Sequence, residues 1–209
     1  MADKIRILYF LEDIAQEGFI TALVRRVASD ESIASGSLDH DIRSARGGSK
    51  VTTEFRKFLK DTERGQVAET DFLVVAVDGN CQGYEERVKR LKKCIKSNHP
   101  FNGRVVYAVP DPHIERWYLM DQRAIKAGIG LNRAPDLPTY KCEKDYYKQM
   151  LRQALRESNV NSLLGGVEYS ERIVDNIQRL ESLSQQDAGF GIFVRDLRRM
   201  LRNKLDSSA

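Results

Sequence analysis

Apolar positions along the chain alternate between unbroken runs and helical spacing. "IRILYFLE" (5–12) is almost continuously apolar and stops at Glu12; "FITALVRRVA" (19–28) then sets Ile20, Leu23, Val24 and Val27 at three-and-four spacing. A strand followed by an amphipathic helix is predicted. "SLDHDIRSA" is a weaker strand closed by Gly47 and Gly48, and "VTTEFRKFLKDTE" puts Val51, Phe55, Phe58 and Leu59 on one helical face. "DFLVVAVD" is unbroken and rich in valine, which suits a strand covered on both faces of a parallel sheet. The helix "YEERVKRLKKCI" buries Val88, Leu91 and Ile95, "RVVYAVP" supplies a fourth strand, and "PHIERWYLMDQRA" opens with proline near a first helical position. Four strand-then-helix units predict an α/β fold of Rossmann-like type, a parallel sheet sandwiched by helices.

The texture changes near Gly128. "GIGLNRAPDLP" holds closely spaced glycine and proline breaks, and the chain beyond it reads as three helices, "EKDYYKQMLRQALRES", "SERIVDNIQRLESL" and "FGIFVRDLRRMLRNKL". Residues 1–127 are expected to form the α/β domain, and 128–209 a linker and helical C-terminal extension packed on it. The 209 residues are 41% hydrophobic and 31% charged, which excludes a disordered chain. No apolar run approaches the roughly 18 residues of a spanning helix, and "MADKIRILYF" lacks a secretory signal, so a cytoplasmic protein with no membrane partner is expected. Cys81, Cys94 and Cys142 are odd in number and form no CxxC pair, predicting reduced thiols and no structural zinc.

Three acidic breaks share one location. Glu12, Asp78 and the Asp111/Glu115 pair fall at or just beyond the carboxyl ends of strands predicted to lie side by side, where such sheets gather functional groups. Carboxylates brought together repel, and hard oxygen ligands select Mg²⁺ or Mn²⁺ as the compensating ion. Glu17 would add a ligand from the first helical turn. The plainer reading is that each acid caps the next helix. His113, beside the acids, is a candidate proton shuttle. Gly47, Gly48, Ser49 and Lys50 are a candidate phosphate cradle without the spacing of a P-loop. Trp117 and Tyr118 are candidate base-stacking residues, with core packing the plainer assignment. Near the C-terminus, Arg195, Arg198, Arg199, Arg202 and Lys204 accompany Phe193, Leu197, Leu201 and Leu205, a basic face suited to a phosphate backbone or an acidic protein. The net charge of +4 is compatible with nucleic acid but does not require it. No Gly-x-Ser-x-Gly or HExxH occurs.

"LYFLED", with its strand-end glutamate, and "VVAVDGN", with Asp78 and Asn80, resemble the Toprim domain of topoisomerases, primases and overcoming-lysogenization-defect nucleases. "EDIAQEGFI", "SARGGSK", "VDGNCQGYEERV" and "VPDPHIERWYLMD" resemble more narrowly a group of small Toprim-related proteins, some of which accompany ABC-type ATPases in bacterial defence loci. The resemblance spans about residues 5 to 125. It implies a Mg²⁺-dependent nuclease cutting phosphodiesters of DNA or RNA, as the antiviral effector of an assembly with an ATPase. It makes Glu12 the acid or base near the metal and Asp78 the principal ligand, with Asn80 in the place of a second aspartate and Glu115 restoring the missing charge. The loss of that aspartate also fits a catalytically weak metal- or partner-binding module, and a nucleotide phosphoesterase is a further alternative.

Overall fold

The computed structural model describes residues 4–45, 50–63, 69–143 and 145–208, with the side chains of 207 and 208 left aside. Strands β1 (Ile5–Leu11), β2 (Leu38–Ser44), β3 (Phe72–Ala76) and β4 (Val105–Ala108) form one parallel sheet in the order β2-β1-β3-β4. The continuous apolar runs of β1 and β3 are explained by burial on both faces. Ile7, Tyr9 and Leu11 meet one apolar cluster; Leu8 and Phe10 meet the other. Edge strand β2 has Leu38 as its one buried residue, which is why its sequence signal is weak.

Helix α1 (Ile14–Asp30) covers the first face with Phe19, Ile20, Leu23, Val24 and Val27. Asp13 caps it, accepting from the Gln16 amide at 3.1 Å. Helices α2 (Val51–Glu63) and α3 (Gly83–Lys92) cover the opposite face through Val51, Phe55, Leu59, Val88 and Leu91. The chain leaves β1 toward β2 across one face and leaves β3 toward β4 across the other. The sheet's switch point therefore lies between the carboxyl ends of β1 and β3.

The predicted helix over 112–124 is two helices, α4 (Ile114–Leu119) and α5 (Gln122–Ile129), separated by Asp121, which accepts from the amides of Arg123 and Ala124. Pro112 precedes α4 instead of opening it, and its bond to Asp111 is cis. α5 runs through Gly128 and ends at Gly130, whose φ of 82° closes it. Helix α6 (Tyr146–Glu157) follows the irregular segment, and the expected helix over 170–183 is likewise divided, into α7 (Ser170–Asp175) and α8 (Leu180–Gln186). Gly128 lets α5 and α7 meet closely, since a Cβ there would stand 2.8 Å from the Ile173 backbone. The last helix, α9 (Ala188–Ser208), lies against β4 and α1, and its Phe190, Phe193, Leu197 and Leu201 join the α1-side core. Trp117 packs edge-on against Phe190 and is 1% exposed, so Trp117 and the fully buried Tyr118 are core residues.

The expectation of three reduced thiols is corrected. Cys81 and Cys142 form a disulfide with Cα atoms 5.6 Å apart, and only Cys94 is free. The bond ties the 130–143 segment to the loop after β3. Closing a loop of this length contributes about 4 kcal/mol in the chain-entropy account. Among the described residues no helix is long and apolar enough to cross a membrane.

Candidate functional site

Glu12 and Asp78 follow β1 and β3, and these neighbouring strands bring them together at the switch point. The Asp78 amide donates to Glu12 Oε2 at 2.8 Å, and the Glu12 amide continues the ladder onto the Ala76 carbonyl at 3.0 Å. Glu12 is 5% exposed. Burial first, and then the charge of Asp78, push its carboxyl up to about 7, although Arg87 stands 4.0 Å away. Gln16, one helical turn into α1 and fully buried, joins the two acids: its Oε1 accepts from the Glu12 amide at 2.9 Å and its Nε2 donates to Asp78 Oδ1 at 3.0 Å.

The Asp78 carboxylate also reaches across to α4. Oδ1 accepts from the Ile114 amide at 3.2 Å, and Oδ2 lies 3.1 Å from His113 Nδ1. That hydrogen bond is the main reason His113 is raised above the ordinary histidine value, which favours its imidazolium. Glu115, 7% exposed, is raised chiefly by burial and next by the Asp78 charge, with Lys148 and His113 opposing. Asp13 is raised for the same two reasons. Capping thus accounts for Asp13 on α1 and, from across the edge, for Asp78 on α4. Glu12 and Glu115 cap no helix that the sequence assigned them.

The loop after β3 is held against the loop after β4. Gly79 and Asn80 donate to the carbonyls of Pro110 and Pro112 at 2.7 and 2.9 Å, and Cys81 donates to Asp111 Oδ1 at 2.8 Å. The approach requires glycine, because a Cβ at position 79 would stand 2.2 Å from Asp111 Oδ1. Asn80 and Cys81 have φ of 50° and 64°, the left-handed region that asparagine tolerates better than most residues. The Asn80 amide turns outward to the Asp78 carbonyl at 3.3 Å. Asparagine at this position thus has a backbone reason of its own.

Other expected residues lie elsewhere. Glu17 accepts from Ser44 Oγ at 3.1 Å, turning toward the end of β2. Gly47 and Gly48 fall outside the described residues, and Lys50 is an exposed residue just before α2. Arg202 binds both oxygens of Glu31 at 2.5 and 3.0 Å, while Arg195 and Arg199 each stand 3.5 Å from Asp196. Gln16, Asp13 and Arg87 were not anticipated. Gln16 was legible from its four-residue spacing to Glu12, and Arg87 as a charge among the apolar positions of α3.

The donors are hard oxygens suited to Mg²⁺ or Mn²⁺. Among the described residues, no three His, Cys, Asp or Glu side chains stand together as a metal-holding group. One or two carboxylates can hold Mg²⁺ when water completes its shell, whereas a closed protein cage needs more ligands than stand together among the described residues. Comparison of the chain with protein-family profiles, curated proteins and solved structures finds no match in any of the three.

Proposed function

We propose that the strand edge is the Mg²⁺- or Mn²⁺-dependent phosphodiesterase site of a Toprim-like nuclease acting on DNA or RNA. The observation that carries this reading is the pair Glu12 and Asp78, hydrogen-bonded side chain to backbone over the switch point, with the Glu12 carboxyl lifted to about 7. Asp78 and Glu115 are the residues that would hold the ion, with Glu12 beside them as acid or base; when bound, the ion would offset their repulsion and polarise a phosphoryl oxygen. Gln16 and the Ile114 amide fix Asp78, so the carboxylate is positioned before substrate arrives. Glu12, the buried acid beside the ion, would take the proton of the water that attacks phosphorus. The His113 imidazolium supplies a proton to the departing oxygen. An antiviral effector role beside an ABC-type ATPase belongs to the same proposal and rests on the sequence resemblance. The Cys81–Cys142 disulfide weighs against a reducing cytoplasm as its location, since disulfides are rare in reducing compartments.

A specific observation favours a second reading. Asn80 turns outward and, among the described residues, no three-ligand group is formed, as a catalytically weak binding module would have it. One assay separates the two. Labelled single- and double-stranded DNA and RNA are incubated with the protein in Mg²⁺, Mn²⁺ or EDTA. The nuclease reading expects metal-dependent cleavage that falls about 10²- to 10⁴-fold in Glu12→Gln. Cleavage unchanged in that variant, or absent with every substrate and metal, would overturn it.

A further inference from the structure

The irregular segment 130–143 packs beside α4, α5 and α8 and leaves a groove of 1010 Å³ that the strand-edge acids do not line. Its charged lining is mostly arginine: Arg116 from α4, Arg123 from α5 and Arg179 just before α8. Asp121, the one carboxylate on the wall, is committed to the first amides of α5 at 3.0 and 2.9 Å. Arg116 pairs with Asp187 through Nη1, and its Nε is buried without a hydrogen-bond partner. Arg123 and Arg179 are exposed and form no salt bridge among the described residues. Glu181, near Arg179, is already bonded to Arg198 at 2.9 Å. The lining thus carries a small positive excess, in which the exposed Arg123 and Arg179 guanidinium groups form no salt bridge among the described residues and can meet an anion.

Tyr140 adds an aromatic surface. Its hydroxyl donates to Asp111 Oδ2 at 2.7 Å, the Arg116 guanidinium lies 5.7 Å from its ring centre, and the residue is still 45% exposed. The disulfide from Cys142 holds this stretch to the β3 loop. The groove also adjoins the acidic edge: Arg116 follows Glu115 on α4, and Asp111, the partner of Tyr140, receives the Cys81 amide. A basic channel with a fixed, open aromatic ring matches the chemistry of single-stranded nucleic acid, whose unstacked bases have free faces for such a ring. A duplex offers its phosphates but keeps its bases stacked.

We propose that this groove binds a single-stranded polynucleotide segment, with Arg123 and Arg179 on phosphates and Tyr140 against a base, and leads it toward the strand edge. The last clause rests on the phosphodiesterase reading; the binding site itself does not. The test is fluorescence polarisation with the full chain in EDTA, using labelled oligothymidylate and oligouridylate of about 12 nucleotides and a duplex of equal length. Single strands should bind more tightly than the duplex. The two single strands distinguish DNA from RNA as the source of the backbone. Replacing both Arg123 and Arg179 with glutamine should weaken binding and flatten the slope of log affinity against log salt by about 1.4, as loss of two single-strand phosphate contacts requires. Tyr140→Phe, which keeps the ring and loses the bond to Asp111, should bind like wild type, whereas Tyr140→Ala should lose about tenfold. Thermal melts of each variant establish that it is folded. The proposal is overturned if wild type fails to bind single strands, prefers the duplex or a mononucleotide, or if the arginine pair variant keeps its affinity and salt slope. Binding in EDTA without metal-dependent cleavage would sink the nuclease reading alone and leave the groove standing.

Discussion

At the residue scale, Glu12 is the group whose environment departs most clearly from water. Its carboxyl is raised from 4.5 to about 7, so the folded state holds a proton that the unfolded state releases. The corresponding stability is fully present below 4.5 and is lost as pH rises to about 7, a contribution on the order of 3 kcal/mol. Glu12→Gln cannot release that proton. Urea midpoints at about pH 5 and about pH 8 should therefore fall less in the variant than in wild type. Asp13, Glu115 and His113 are raised as well and act with the same sign, so a smaller decline should remain. An identical decline in both proteins would mean that Glu12 is not buried as described. Glu12 and Asp78 were legible because each ends an apolar run at a strand's carboxyl end, whereas His113 and Glu115 lie beyond β4, at and just inside the start of α4. Glu17 was misplaced by one helical step. A residue turns the side chain by roughly 100°, and Gln16 takes the place facing Asp78 while Glu17 faces β2. The backbone reason for Asn80 was not legible, since a positive φ cannot be seen in a spacing.

At the scale of elements, the strands and α1 to α3 follow from period and length, whereas the later helices show where period misleads. Apolar spacing continues through the breaks at Asp121 and at 176–179, because both members of each broken pair bury residues in the same core. Asp121 carried the missing signal, being a capping residue directly before a helix. In α9, the apolar stripe and the basic stripe do separate work: Leu197 is fully buried, while Arg198 and Arg202 bind Glu31 at the end of α1. Leu197→Ala should cost about 2 to 5 kcal/mol in chemical denaturation. Arg202→Gln should cost less, because its ion pair is screened by solvent. The reverse order would mean that the helix is held by its charges and not by its core.

At the scale of the whole molecule, the parallel sheet and the carboxyl edge on which the acids meet followed from the alternation of strands and helices. The groove and the disulfide did not. Both depend on where a segment with no periodic pattern comes to rest, and Cys81 and Cys142, 61 residues apart, meet only after the 130–143 stretch has folded back on the β3 loop. The central claim is that the acidic edge binds a divalent ion that acts on phosphodiesters. Its most direct test is isothermal titration of the full chain with Mg²⁺ at neutral pH, wild type against Asp78→Asn, with circular dichroism establishing equal folding. Saturable binding by wild type that is weakened at least about tenfold in Asp78→Asn is the predicted result. Equal affinity in the two proteins, or no binding by wild type, would contradict it.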